Sequence, residues 1–395
     1  MDFLKDKVKR KQFYFSYGVF LINGMLAVAI GSLLPYIREA RNLDYDYGGY
    51  LASLHSVGNL IASFVAGMLP VLIGRKKSIL FFNAFLAISF CMIIFGDSTM
   101  LLAMAFCLTG LARGATSNFC NTTINNLAPG KASIINGLHA TFAVGAFLFP
   151  IILTVLMTFS ERGWIYACYF MCAMGILSWL LYFLMPVEQD KVIKKDDGTK
   201  NFGFFREPLF YLIIVTMFFY LCAEQGVISW MVTYFKETGY INEKLSQITA
   251  SALWIMILAG RLVVAWSSTK VDKKKLLPVM GFGLVIFFVL LIFARSTGLI
   301  VFGIMGFGFS MAGIYPTTVS LAGNLIQKYP VAWSFILTLA SLGSIIMPSV
   351  IGNIAKNAGI AAGMSSVAVA VIVDLVCIIT LVTYLGRQKK PLEDQ

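Results

Sequence analysis

Residues 67–77 read GMLPVLIGRKK, and in the second half of the chain residues 270–278 read KVDKKKLLP. Each basic triplet, Arg75-Lys76-Lys77 and Lys273-Lys274-Lys275, separates two long apolar runs: 47–72 and 78–96 around the first, 245–267 and 276–294 around the second. A helix crossing the hydrocarbon core of a bilayer takes about 20 apolar residues. Three cations between two such runs therefore read as a tight loop at one membrane face. Gly67 and Gly74 punctuate the first loop, and Gly260-Arg261 precedes the second. The echo is weak in sequence but falls at the same place in both halves. It predicts two parallel repeats related by an axis along the membrane normal.

Working outward from these loops, further runs of the same length appear at 13–36, 99–128, 134–157, 163–185, 208–235, 298–325, 331–354 and 361–386. The fold class expected is an all-α membrane protein of twelve transmembrane helices. The 395 residues are 58% hydrophobic and 13% charged, well away from the half-apolar, quarter-charged balance of soluble chains. Short connectors such as Gly96-Asp97-Ser98 and Pro129-Gly130-Lys131 leave no room for a soluble domain. One polar stretch, residues 186–207, separates an N-terminal six-helix bundle (1–185) from a C-terminal one (208–395).

The formal net charge of +12 does not point to nucleic acid. With the N-terminus placed inside, 22 of the 31 Lys and Arg fall on the cytoplasmic side, as the positive-inside rule requires. Both termini are then cytoplasmic, in the cytoplasmic (inner) membrane. The basic start of the chain runs into a full span with no small-residue cleavage site, which reads as a first transmembrane helix and not a signal peptide. All seven cysteines lie in apolar stretches, an odd number with no paired extracellular spacing, so no disulfide framework is indicated.

Ionisable side chains in hydrocarbon are costly and persist only with a partner or a water-filled cavity. Within the spans they are Arg113, His139, Glu224, Arg261, Asp374 and, near the outer end of the second span, His55. Arg113, Ser117, Asn121 and Asn125 recur every fourth residue, with Asn118 on an adjacent face. Such a stripe cannot face lipid. It serves either helix–helix hydrogen bonding or a solute whose hydroxyls meet Asn118, Asn121 and Arg113. In the seventh span Tyr220, Glu224, Val227, Met231 and Tyr234 share one face, read as half-wet, with Gln225 beside it. A carboxyl that loses water favours its neutral form, so Glu224 is the leading proton carrier. His139 is either a second relay or a satisfied core histidine. Trp230, Trp254 and Tyr315 are candidates for stacking on the apolar face of a sugar, against the alternative of interfacial anchors or packing. Asp374 reads as a member of a buried structural pair, with a proton relay as the alternative, and His55 as packing. Arg75 and Arg261, at the cytoplasmic ends of their spans, are gating candidates. There is no phosphate-binding loop, metal-ligand spacing or nucleophile elbow, so neither a cofactor, a metal nor an enzymatic reaction is expected.

The GMLPVLIGRKK segment resembles the signature loop of the major facilitator superfamily, except that Val71 stands where that loop has an acid. Further strings resemble the superfamily's fucose-permease-like branch of fucose, galactose and hexose symporters. They are Asn136, His139, Gly145-Ala146 and Pro150 in the fifth span, Glu224-Gln225-Gly226 with Trp230 in the seventh, and Gly313 to Pro316 in the tenth. The resemblance implies alternating access and a small-molecule solute, a monosaccharide, carried by proton symport. Gly31 and Ser117 occupy places where proton-coupled relatives carry acids, so any coupling must use another group, and an uncoupled uniporter stays open. A Met- and Phe-rich interior leaves a second alternative, an exporter or flippase of amphipathic, lipid-like molecules. A non-transporting membrane sensor is a third. The expected partners are the solute, protons and the lipid bilayer, with the chain a monomer.

Overall fold

The computed structural model describes residues 2–129, 131–187 and 202–387. Twelve helices among them are long and apolar enough to cross a membrane, and no strand occurs among the described residues. The architecture is all-helical and of the membrane-spanning kind the sequence implies. Contacts divide the chain into two compact units, Met1–Asp196 and Asp197–Gln395. Residues 188–201, the middle of the polar stretch read as a linker, lie outside the described residues.

The N-terminal unit holds α1 (Lys7–Ala40), α2 (Tyr45–Ile73), α3 (Arg75–Phe95), α4 (Thr99–Leu127), α5 (Ala132–Phe159) and α6 (Gly163–Leu184). Helix starts are set by local chemistry: the Asp6 carboxylate accepts from the Val8 amide, and the Ser98 hydroxyl from that of Leu101. α1 is apolar nearly all round and correspondingly buried, from Val19 to Ile37. It packs on α5, α2 packs on α4, and α3 on α6. Glycine sets how close these pairs come. A Cβ on Gly110 of α4 would overlap the His55 carbonyl of α2, and one on Gly58 of α2 would overlap the Cys107 carbonyl of α4. Only hydrogen fits there, as small-residue helix contacts in membranes require. Lys76, at the start of α3, donates to the carbonyls of Tyr182, Phe183 and Met185 at 2.5–2.7 Å, satisfying the C-terminal end of α6.

The C-terminal unit contains α7 (Pro208–Thr238), α8 (Glu243–Ser267), α9 (Lys273–Phe293), α10 (Thr297–Met311), α11 (Ile314–Leu321), α12 (Gly323–Lys328), α13 (Pro330–Ala358), α14 (Ile360–Ser365) and α15 (Val367–Arg387). The tenth span, expected as one run, is broken between α10 and α11 at Ala312–Gly313. Pro316 lies in the first turn after the break, where its missing N–H costs least. The last span is likewise split into α14 and α15. α7 packs on α13, α8 on α10 and α9 on α15. Counting by spans, the first meets the fifth, the second the fourth and the third the sixth, the same wiring as in the other unit. Lys274, at the start of α9, donates to the Leu385 carbonyl at 2.7 Å, so the counterpart of Lys76 also ties down a last helix.

Candidate functional site

In the N-terminal unit, the glycine-mediated approach of α2 and α4 brings the His55 ring against Thr109, with Nδ1 2.8 Å from Oγ1. The Thr109 hydroxyl donates to the Phe106 carbonyl at 2.6 Å, so the imidazole donates from Nδ1. That leaves the Nε2 lone pair buried and without a hydrogen-bond partner. Arg113, one turn along α4, is within electrostatic reach of this ring. A turn further, Ser117 Oγ accepts from Asn23 Nδ2 of α1 at 2.9 Å, and Asn23 Oδ1 is a second buried acceptor without a partner. Asn118 donates to the Ser63 carbonyl of α2 at 3.3 Å, and Asn121 to the Ser117 carbonyl at 2.8 Å. Both amides therefore spend an N–H on backbone. The column from Thr109 to Asn121 combines one guanidinium with several acceptors that want a donor, and it contains no carboxylate.

The remaining candidates of this unit lie apart from that column. His139 is half-buried on the α1–α5 seam, its ring edge-on to Phe20 with centroids 5.5 Å apart. Arg75 is buried at the opening of α3 and donates to Thr123 Oγ1 at 3.1 Å. It borders a cavity of about 200 Å³ lined also by Lys9, Gln12, Asn126 and Pro186.

In the C-terminal unit the chemistry is acidic and aromatic. The Tyr220 hydroxyl donates to Glu224 Oε1 at 3.2 Å, and the Tyr315 ring, on α11 just past the helix break, lies 6.3 Å from that of Tyr220. Glu224 is also within electrostatic reach of Tyr315, and Arg261 within reach of Tyr220. Glu224, Tyr220, Tyr315 and Arg261 thus form one cluster contributed by α7, α8 and α11. Gln225 is adjacent, donating to Ser229 Oγ at 3.3 Å.

The α7 face read as half-wet is otherwise packed: Val227, Met231 and Tyr234 are no more than 1% exposed. α13 and α15 both pack on α7. The half-open stripe is Leu221, Glu224, Gln225 and Ile228, at helical spacing and turned toward the next residue. Trp230 is fully buried with its indole N–H on the Pro348 carbonyl at 3.0 Å, and Trp254 is buried on α8. Sequence reasoning passed over Asn23 and took His55 as packing. An asparagine within the apolar first span was the available signal for the former.

These features can be set beside known proteins. The profile described as Major Facilitator Superfamily matches residues 16–348. Among curated relatives, a protein TsgA homolog of Yersinia enterocolitica is 23% identical over 358 residues, covering 89% of either chain. A protein TsgA homolog of Yersinia pseudotuberculosis is 22% identical, covering 89% of this chain and 90% of its own. Among solved structures, a bacterial homolog of the human lysosomal transporter Spinster, inward-facing and unoccupied, superposes with a TM-score of 0.78 at 12% identity, covering 98% of this chain and 99% of its own. A D-xylose-proton symporter gives 0.76 at 13%, with 94% and 96% covered. The nucleoside transporter NupG gives 0.75 at 13%, with 98% and 100% covered. At these identities the structural likeness speaks for the fold alone, whereas the profile match spans most of the chain. Taken with twelve membrane-length helices in two similarly wired units, it makes the chain a member of the Major Facilitator Superfamily, a multi-pass membrane transporter and not an enzyme.

Proposed function

We propose that the protein is a secondary active transporter that moves a monosaccharide by alternating access, driven by proton symport. The observation that carries this reading is the half-buried Glu224, set mid-span and accepting from Tyr220, with Tyr315, Gln225 and Arg261 close by. A carboxyl in that setting can bind a proton and shift its hydrogen bonding as it does so. The amide column of α4 supports a hydroxylated solute, because its unpaired acceptors at Asn23 and His55 call for donors. The helix-five string from Asn136 to Pro150 supports placement in the fucose-permease-like branch, although the relatives matched carry no substrate in their names. Two structural neighbours are named for sugar-containing solutes, D-xylose and nucleosides, which agrees with the choice of class. The distribution of Lys and Arg supports cytoplasmic termini in the cell membrane, and we take the monomer as the working unit.

One proton moving down about 150 mV supplies about 3.5 kcal/mol, enough for a few hundred-fold accumulation. The test uses purified protein in vesicles, screened with radiolabelled monosaccharides under an imposed pH gradient. Uptake blocked by excess hexose and not by cationic dyes supports the sugar reading; the reverse favours an amphipathic exporter. Glu224→Gln is expected to abolish accumulation driven by the pH gradient while counterflow exchange persists. Full accumulation by that variant removes Glu224 from the coupling role.

A further inference from the structure

Asp374 lies near the middle of α15, fully buried, and neither carboxyl oxygen has a hydrogen-bond partner. The buried structural pair that the sequence suggests for it does not form. The helices around it explain why. α15 packs on α7 and α9 and touches α14. α9 offers no titratable side chain between Lys275 and Arg295, and α14 has none. From α7, Tyr220 and Cys222 lie within electrostatic reach, and on α15 itself Cys377, with Tyr384 nearly three turns further along. Glu224 stands beyond Tyr220, whose hydroxyl it accepts. The cation that reaches this neighbourhood is Arg261, and it acts on the Tyr220 hydroxyl. On the α9 side, Leu375 and Ile378 close over Gly281.

An ionised carboxylate placed there would lose its hydration and receive neither a counter-ion nor a donor in exchange, whereas the acid form carries no net charge. Ionisable groups kept in hydrocarbon mark functional paths, with Asp, Glu and His serving as proton relays in pumps and transporters. We propose that Asp374 is a proton-binding site of the C-terminal unit, loaded in the conformation seen here and unloaded when the packing of α15 admits water. On unloading, the O–H bond of the acid breaks, the proton passes to water and the electron pair stays on the carboxylate; loading is the reverse. The inference deepens the proton-driven reading above and rests on it only for the use made of the proton. It gives the unit two acids, one half-open at Glu224 and one sealed at Asp374, on either side of Tyr220.

Infrared difference spectroscopy of the full chain in lipid bilayers tests this without knowledge of the solute. Protein carrying carbon-13 in its aspartate carboxyls is measured at about pH 7, where ordinary aspartates are ionised. Among the described residues the other aspartates, Asp2, Asp6, Asp44, Asp46, Asp97 and Asp272, lie at or beside helix ends, which makes Asp374 the one enclosed in a span. The expected result is a carboxylic-acid carbonyl band that moves with the label and shifts in heavy water. It should be lost entirely in Asp374→Asn and retained in Glu224→Gln. The absence of a label-sensitive band, its survival in Asp374→Asn, or a failure to shift in heavy water overturns the proposal. If the only carboxylic-acid band ignores the aspartate label and is lost in Glu224→Gln, the proposal is overturned, yet Glu224 remains as the proton carrier and the proposed function stays intact.

Discussion

The two units share a scaffold and differ in chemistry. In each, the first span meets the fifth, the second the fourth and the third the sixth. In each, the first cation of the basic triplet bonds a hydroxyl at the end of the fourth span, Arg75 to Thr123 and Lys273 to Ser320. In each, the second cation caps the last span. The far ends differ: Arg41, after the first span, reaches Asp97 in the connector between the third and fourth spans at 3.2 Å, whereas Lys236 pairs with Glu243 across the connector between the first and second spans of its unit at 3.4 Å. The polar interior of the N-terminal unit is built of amides, imidazole and guanidinium, while that of the C-terminal unit holds Glu224 and Asp374. The helix wiring is what the repeat preserves; the titratable chemistry diverges even within the wired contacts, where His55 lies on Thr109 between α2 and α4 and Asp374 is enclosed in the packing of α15.

The comparison breaks most readily at the closest helix contacts. Gly110→Ala sets a methyl against the His55 backbone of α2, with no flexible atom to yield, and is expected to cost about 3 kcal/mol or more in thermal unfolding. Gly308→Ala in the matching α8–α10 contact also meets a carbonyl, that of Leu253, but with more room, and should cost about 1–2 kcal/mol. Gly67→Ala, with open space around it, is the control and should gain a few tenths of a kcal/mol at about helix-propensity scale. Equal losses in all three would mean that the glycines do not set these distances.

The caps come next. Lys76→Met removes a cation that serves three carbonyls, and Lys274→Met one that serves a single carbonyl. Because both ends are partly wet, the losses should be about 2 and about 1 kcal/mol, read as melting temperatures of the purified variants. The reverse order would show that the N-terminal cap is redundant.

The smallest effect belongs to Lys328, outside the spans, whose ammonium is 2.9 Å from the Glu207 carboxylate. That hydrogen bond raises the lysine above its ordinary value of 10.5 in the folded chain. The sign follows: the contribution is complete below the unfolded value and fades as pH climbs through the raised folded one. Lys328→Met should therefore lower the melting temperature slightly near neutrality and not at strongly alkaline pH. A deficit independent of pH would trace to lost packing on Tyr329, over which the ammonium sits.

Much of this was legible in the chain. Twelve spans follow from hydropathy alone, because in hydrocarbon every backbone group must be satisfied within its own helix and length decides the rest. The equivalence of the basic triplets was readable too, as was Glu224, since a carboxylate amid apolar residues stands out without any partner being known. Less was legible wherever an answer depended on what a neighbouring helix brings. The half-open stripe of α7 runs one residue on from the face expected, because helix packing, not periodicity, chooses the side that is covered. Trp230 is deep enough to suggest a cavity wall, but Pro348 of α13 claims its N–H.

What the sequence by itself determined is therefore the set of helices and the residues too polar to face lipid, both consequences of a solvent that offers no hydrogen bonds. Only the tertiary structure decided which of those residues meet. Tyr220 finds Glu224 within its own helix, but Tyr315 joins them because the chain breaks at Gly313, and Asp374 is left without a hydrogen-bond partner because α9 beyond Lys275 brings only apolar side chains. Pairing is a property of two surfaces, and no single helix carries the other one in its sequence.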